Sequence, residues 1–108
     1  MDRPTDGDPI ETFLVERYWP EVDLGRLQAA LPRLDAAAGA MAAQGHRVVH
    51  VGSILMPADH VVFSLFAAAD ETLVRQLNER AELPADRIAR AIALGGAALF
   101  WSDAGPRR

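Results

Sequence analysis

The chain has 108 residues, half of them apolar, with a net charge of −4 and a pI of about 5.2; that is the length of one domain, with enough apolar surface to bury a core. All 11 basic residues are arginine and the acidic residues are scattered, which argues against a nucleic-acid partner held by clustered basic side chains. Cysteine is absent, so disulfides, thiolate metal sites and thiol nucleophiles are excluded.

Residues 1–10, punctuated by Pro, Gly and Asp, read as a disordered tail. A single domain is expected over 11–102, and a flexible tail over 103–108. The first residues lack the basic and apolar regions of a secretory leader. No apolar run reaches the roughly 18–20 residues that span a bilayer. A reduced, cytoplasmic protein with no membrane partner is the expectation.

Thr12 to Trp19 is rich in β-branched and aromatic residues and is stopped by Pro20, the pattern of a strand. Asp23 is placed to cap a helix starting at Leu24. Leu24, Leu27, Leu31, Leu34, Ala38 and Met41 recur every three or four residues and predict one buried stripe. Pro32 inside that pattern should kink or divide the helix, and Gly45 should end it. Arg47 to Met56 and His60 to Ala67 read as strands joined by the tight Pro57-Ala58-Asp59 connection. Asp70 caps a second helix with Leu73, Val74 and Leu77 on its inner side. Pro84 suits the first turn of a further helix, Pro84 to Leu94, with Ile88, Ala91 and Ile92 buried. Gly95-Gly96 would stop it, and Ala97 to Trp101 would be a short last strand.

The order β-α-β-β-α-(β) is the split pattern of an α+β, ferredoxin-like sandwich, an antiparallel sheet with both helices on one face. It places the third strand between the first and second. The other face must be covered too, by a second subunit or a ligand.

Strand side chains alternate between faces. Sorting each strand by polarity leaves uniformly apolar sets for the helices: Phe13 and Val15; Val49, Val51 and Leu55; Val61, Phe63 and Leu65. The complementary sets bring Glu16, Tyr18, His50 and Ser64 together on the open face, in a cavity lined by Leu14, Ile54, Val62 and Phe66. Ser53 and Arg17 fall on the helix side, Arg17 at a strand end where a surface ion pair is expected. With one strand between them, Glu16 and His50 should lie about 10 Å apart at the backbone, their side-chain tips on the order of 3–4 Å apart. That gap suits one metal ion, one small polar group held between acid and base, or a hydrogen bond through water.

His50 is thus open to three readings: metal ligand, general base, or a buried histidine satisfied by a carboxylate. Two ligands alone make a poor metal site, so His46, His60 or a second subunit would have to supply more. His46 and His60, near strand ends, read more simply as solvated. Gly95-Gly96 lacks the spacing of a phosphate loop, and neither a nucleophile elbow nor a histidine-rich helix is present.

The strand Phe13-Leu14-Val15-Glu16-Arg17, the strand Val48-Val49-His50-Val51-Gly52-Ser53, the strand Val61 to Phe66 and the segment Leu83-Pro84-Ala85-Asp86-Arg87-Ile88 resemble a family of small bacterial ferredoxin-like domains that includes a nickel-binding protein. The likeness runs from about residue 12 to 92. It implies a dimeric α/β barrel, a homodimer closed through its sheets, and a divalent transition metal, Ni²⁺ first. Glu16 and His50 are the residues that carry over by motif and are taken as its candidate ligands, without the family's own ligand set being assigned residue by residue. The leading expectation is therefore a homodimeric metal-binding protein. The alternative is a cofactor-free enzyme (oxygenase, isomerase or cyclase type) acting on a small organic substrate, with Glu16 or His50 as general base and Tyr18 as hydrogen-bond donor. A purely structural dimer is the third.

Overall fold

The computed structural model describes residues 9–94. Its elements are β1 (Glu11–Tyr18), α1 (Leu24–Ala43), β2 (Val48–Met56), a 3-10 turn (Pro57–Asp59), β3 (Val61–Ala68), α2 (Glu71–Arg80) and β4 (Arg87–Ala91). The strands form one antiparallel sheet in the order β2-β3-β1-β4. With two helices packed on one face, this is the ferredoxin-like α+β arrangement that the element order predicts. No helix among the described residues is long and apolar enough to cross a membrane.

Both helices start as their caps dictate. Asp23 Oδ1 accepts the Arg26 N–H at 2.8 Å, and Asp70 Oδ1 accepts that of Leu73 at 3.0 Å. Helix α1 ends in a Schellman motif at Gly45, whose φ of +88° suits glycine. There the Gly45 N–H bonds Ala42 O and the His46 N–H bonds Met41 O, each at 2.9 Å. Pro32 does not divide the helix, which runs unbroken through it. The proline is exposed, so the carbonyl it leaves unpaired one turn back can be hydrated. The buried stripe is Leu27, Ala30, Leu34, Ala37 and Met41. Leu24 is exposed, and Leu31 and Ala38 only flank the core.

Helix α2 closes in the same motif, with the Leu83 N–H bonded to Asn78 O at 2.9 Å. Here Glu82 occupies the left-handed position at φ 61°. The helix predicted over Pro84–Leu94 is instead a turn followed by β4. Strand β1 would otherwise leave a row of backbone donors and acceptors unpaired at the sheet edge, and residues 87–91 fill it. Asp86 clasps the start of this pairing: its N–H bonds Glu16 O at 3.0 Å, and its Oδ2 accepts the Tyr18 N–H at 2.6 Å. Ile88 and Ala91 are half-buried, whereas Ile92 is exposed. The predicted Gly95-Gly96 stop, the strand Ala97–Trp101 and the tail 103–108 lie outside the described residues, as does most of the tail 1–10.

The core lies between sheet and helices, built from Phe13, Val15 and Phe66 of the sheet, Leu34 and Met41 of α1, and Val74 and Leu77 of α2. Its composition corrects the sorting of faces. In β1 the sorting holds. In β3 it is reversed: Val62, Ser64, Phe66 and Ala68 face the helices fully buried, while Val61, Phe63 and Leu65 lie on the open face. In β2 the register breaks between His50 and Gly52, with Val51 as an extra residue. This β-bulge inverts the parity of everything before it. Val48 and His50 therefore face the helices and Val49 the open side, while Gly52 and Ile54 keep the open face that alternation predicts.

Candidate functional site

The sheet separates the two residues expected to form one site. Glu16 is paired in register with Phe63 on the open face, and His50 with Phe66 on the covered face. A single ion cannot touch both. Among the described residues, no group of three or more His, Asp or Glu side chains is arranged to hold a metal ion. Of the predicted cavity lining, Leu14, Tyr18 and Ile54 are on the open face, whereas Val62, Ser64 and Phe66 are in the core beneath the helices.

On the open face Glu16 Oε1 stands 3.7 Å from Arg87 Nη1, a loose and solvated pair of little energetic weight. Tyr18 is exposed and meets the His60 ring edge-on at 6.3 Å between centroids. His60 holds a left-handed backbone (φ 58°) and accepts the Glu21 N–H on Nδ1 at 3.3 Å. In neutral imidazole that places the proton on Nε2. His46 is exposed just past α1. Around these polar groups the face is apolar: Val49 is 53 % exposed, Ile54 48 % and Met56 40 %, beside half-buried Leu14, Phe63 and Leu65.

On the covered face His50 begins a hydrogen-bonded chain. Its Nε2 lies 2.8 Å from Ser53 Oγ, and Ser53 Oγ lies 2.7 Å from the fully buried Ser64 Oγ. The imidazole leans over Phe66 at 5.3 Å between centroids. Burial lowers the His50 pKa below its ordinary 6.5, and Arg17 acts in the same direction. Asp35 and a backbone hydrogen bond at Gly52 oppose them without prevailing.

Arg17, expected in a surface ion pair, is only 5 % exposed. Its Nε donates to Leu83 O at 3.2 Å and its Nη2 to the same oxygen at 3.0 Å; it also reaches Pro84 O and Asn78 Oδ1. Asn78, itself buried, passes the network on by donating from Nδ2 to Val74 O at 2.8 Å. Desolvation pushes the guanidinium pKa down to about 10, against the attraction of Asp86, so it stays charged at neutral pH. A cation set on the carbonyls at a helix C-terminus is where the macrodipole favours it. The role is structural: Arg17 fastens the end of α2 and the turn that sends β4 back along β1. One signal for this was present in the sequence: Asn78 adjoins the apolar stripe of α2, and a polar residue there needs a buried partner.

The sheet order, two helices on one face and a second face that the described residues leave uncovered define the class as a ferredoxin-like domain. No family model and no curated protein matches the chain. Among solved structures, the crystal structure of SCO4226 from Streptomyces coelicolor A3(2) is similar, with a TM-score of 0.67 and 18 % identity over 78 % of this chain and 99 % of that one. At that identity the likeness shows the fold alone.

Proposed function

We propose that this chain is a small homodimeric binding protein that closes its open sheet face against a second copy and holds its ligand between the two sheets. The observation that carries the reading is the apolar face centred on Leu14, Ile54, Phe63 and Leu65, which the other described residues leave uncovered, since contiguous exposed apolar surface marks an interaction site. Three strands of eight or nine residues and one of five present about 500 Å². Two such faces together reach the roughly 1,000 Å² at which specific interfaces begin.

For the ligand, the family resemblance points to a divalent transition ion such as Ni²⁺. Glu16 is the expected metal ligand that faces this space, and a two-fold dimer would bring a second Glu16 to it. His50 drops out of the donor set. The apolar lining favours a second reading, a small organic molecule bound by the same face, with Glu16, Arg87 and Tyr18 as its polar contacts.

Sedimentation equilibrium tests the pairing. A dimer is expected for the 11.7 kDa chain and a monomer for Phe63→Glu; a monomeric parent at about 100 μM, far above the dissociation constants of specific dimers, removes the proposal. Calorimetric titration with Ni²⁺ tests the ligand separately. Saturable binding lost in Glu16→Gln supports the ion. Its absence in a dimeric parent removes the ion and leaves the organic ligand.

A further inference from the structure

The bulge in β2 has a side-chain counterpart. Residues three apart in a regular strand point to opposite faces. His50 and Ser53 share the covered face because Val51 is inserted between them, and only then can Nε2 reach Oγ at 2.8 Å. Ser53 is also the register partner of Ser64, and their hydroxyls meet at 2.7 Å. The chain therefore spans the bulge along β2 and crosses to β3. A one-residue slip of β2 would break both bonds and turn Val49, Ile54 and Met56 over. Among the described residues β2 is an edge strand, paired on one side with β3.

The groups around His50 decide what protonation does to this chain. From α1, Asp35 attracts a charged imidazole; from β1, Arg17 repels it. From β3 it meets Phe66 and, through Ser53, Ser64, both uncharged. No group of α2 is among those acting on it. An imidazolium could still donate to Ser53 Oγ, so protonation does not itself cut the bond. It leaves a partly desolvated cation on the covered face near the buried Arg17 guanidinium, and exposing it to water relieves that cost.

We propose that His50, Ser53 and Ser64 form a proton-sensitive latch on the β2 bulge, closed while His50 is neutral and released, with the β2 edge, when it is protonated. The latch lies within one copy and stands whether or not two copies pair.

Amide hydrogen exchange followed by NMR tests it on the whole protein, with protection factors normalised for the intrinsic pH dependence. Between pH 7.5 and 5 the β2 amides bonded to β3 should lose protection, by at most about 30-fold, the limit for a histidine that ordinarily titrates near 6.5 and resists protonation in place. The β1–β3 amides should not follow. In His50→Gln, which keeps a hydrogen-bonding group without the titration, β2 protection should be flat over this range. In the same samples the His50 ring resonances should titrate below 6.5. Unchanged β2 protection in the parent, an equal loss in His50→Gln, or a His50 midpoint at or above 6.5 overturns the latch. Should His50→Gln not fold, the parent's exchange profile and ring titration decide the matter alone.

Discussion

The covered face of the sheet encloses Arg17, His50, Ser53 and Ser64, while the open face presents Val49, Ile54 and Met56 to solvent. Polar side chains thus sit within an apolar core, while apolar ones meet solvent. Every polar group on the covered side has a partner: carbonyls and an amide for Arg17, a hydroxyl for each link of the serine chain. Paired in this way, buried polar groups cost little, and they choose one arrangement over its neighbours. The apolar side chains of the open face have no such partner among the described residues. The covered face thus specifies the fold, and the open face awaits a second surface.

Substitutions on the two faces can break that contrast. The largest effect is expected at Phe66, fully buried: Phe66→Ala should cost about 3–5 kcal/mol in denaturant unfolding. Phe63→Ala, on the other side of the same strand, should cost under about 2 kcal/mol at concentrations where the chain is monomeric. Comparable losses would mean that the open face is as well packed as the core. Arg17→Met should cost about 3 kcal/mol, because it leaves the buried Leu83 carbonyl and Asn78 amide without their donor. A cost below about 1 kcal/mol would show that the guanidinium is a tolerated burial with no fastening role.

His50 gives a smaller, pH-dependent difference. Its pKa is lowered in the folded chain, so the unfolded chain binds the proton more readily. Its contribution to stability is complete above about 6.5, falls as the pH drops toward the folded value, and levels off beneath it. Urea midpoints measured from pH 8 to 5 should show this decline in the parent and a shallower one in His50→Gln; parallel curves would contradict it. The smallest effect lies outside both faces. Glu82→Gly should stabilise by about 1 kcal/mol, since glycine carries no Cβ penalty at φ 61°. A lower melting temperature would mean that the glutamate side chain makes a compensating contact.

Local chemistry was legible where it acts within a few residues. Asp23, Asp70 and Gly45 announce the helix ends, and the alternation Phe13-Leu14-Val15-Glu16 announces both faces of β1. The site was not legible, because its geometry hinges on one inserted residue. Nothing in Val48-Val49-His50-Val51-Gly52-Ser53 marks Val51 as extra, and without that knowledge His50 falls on the wrong side. The inversion of β3 has a related cause. Sorting by polarity exiles Ser64 to the open face, yet a serine opposite another serine is satisfied in the core. The segment 84–94 was misread because its helical signals are local, while the vacant edge of β1 that captures it is not.

By itself, then, the amino-acid sequence determined the order of the first five elements and the helix caps, since each follows from interactions between residues a few positions apart. Only the tertiary structure decided which side of the sheet His50 occupies, whether Arg17 is buried, and that residues 87–91 become a strand. Those outcomes depend on register and on edges left open by distant segments, and a β-sheet turns a one-residue shift into a change of face.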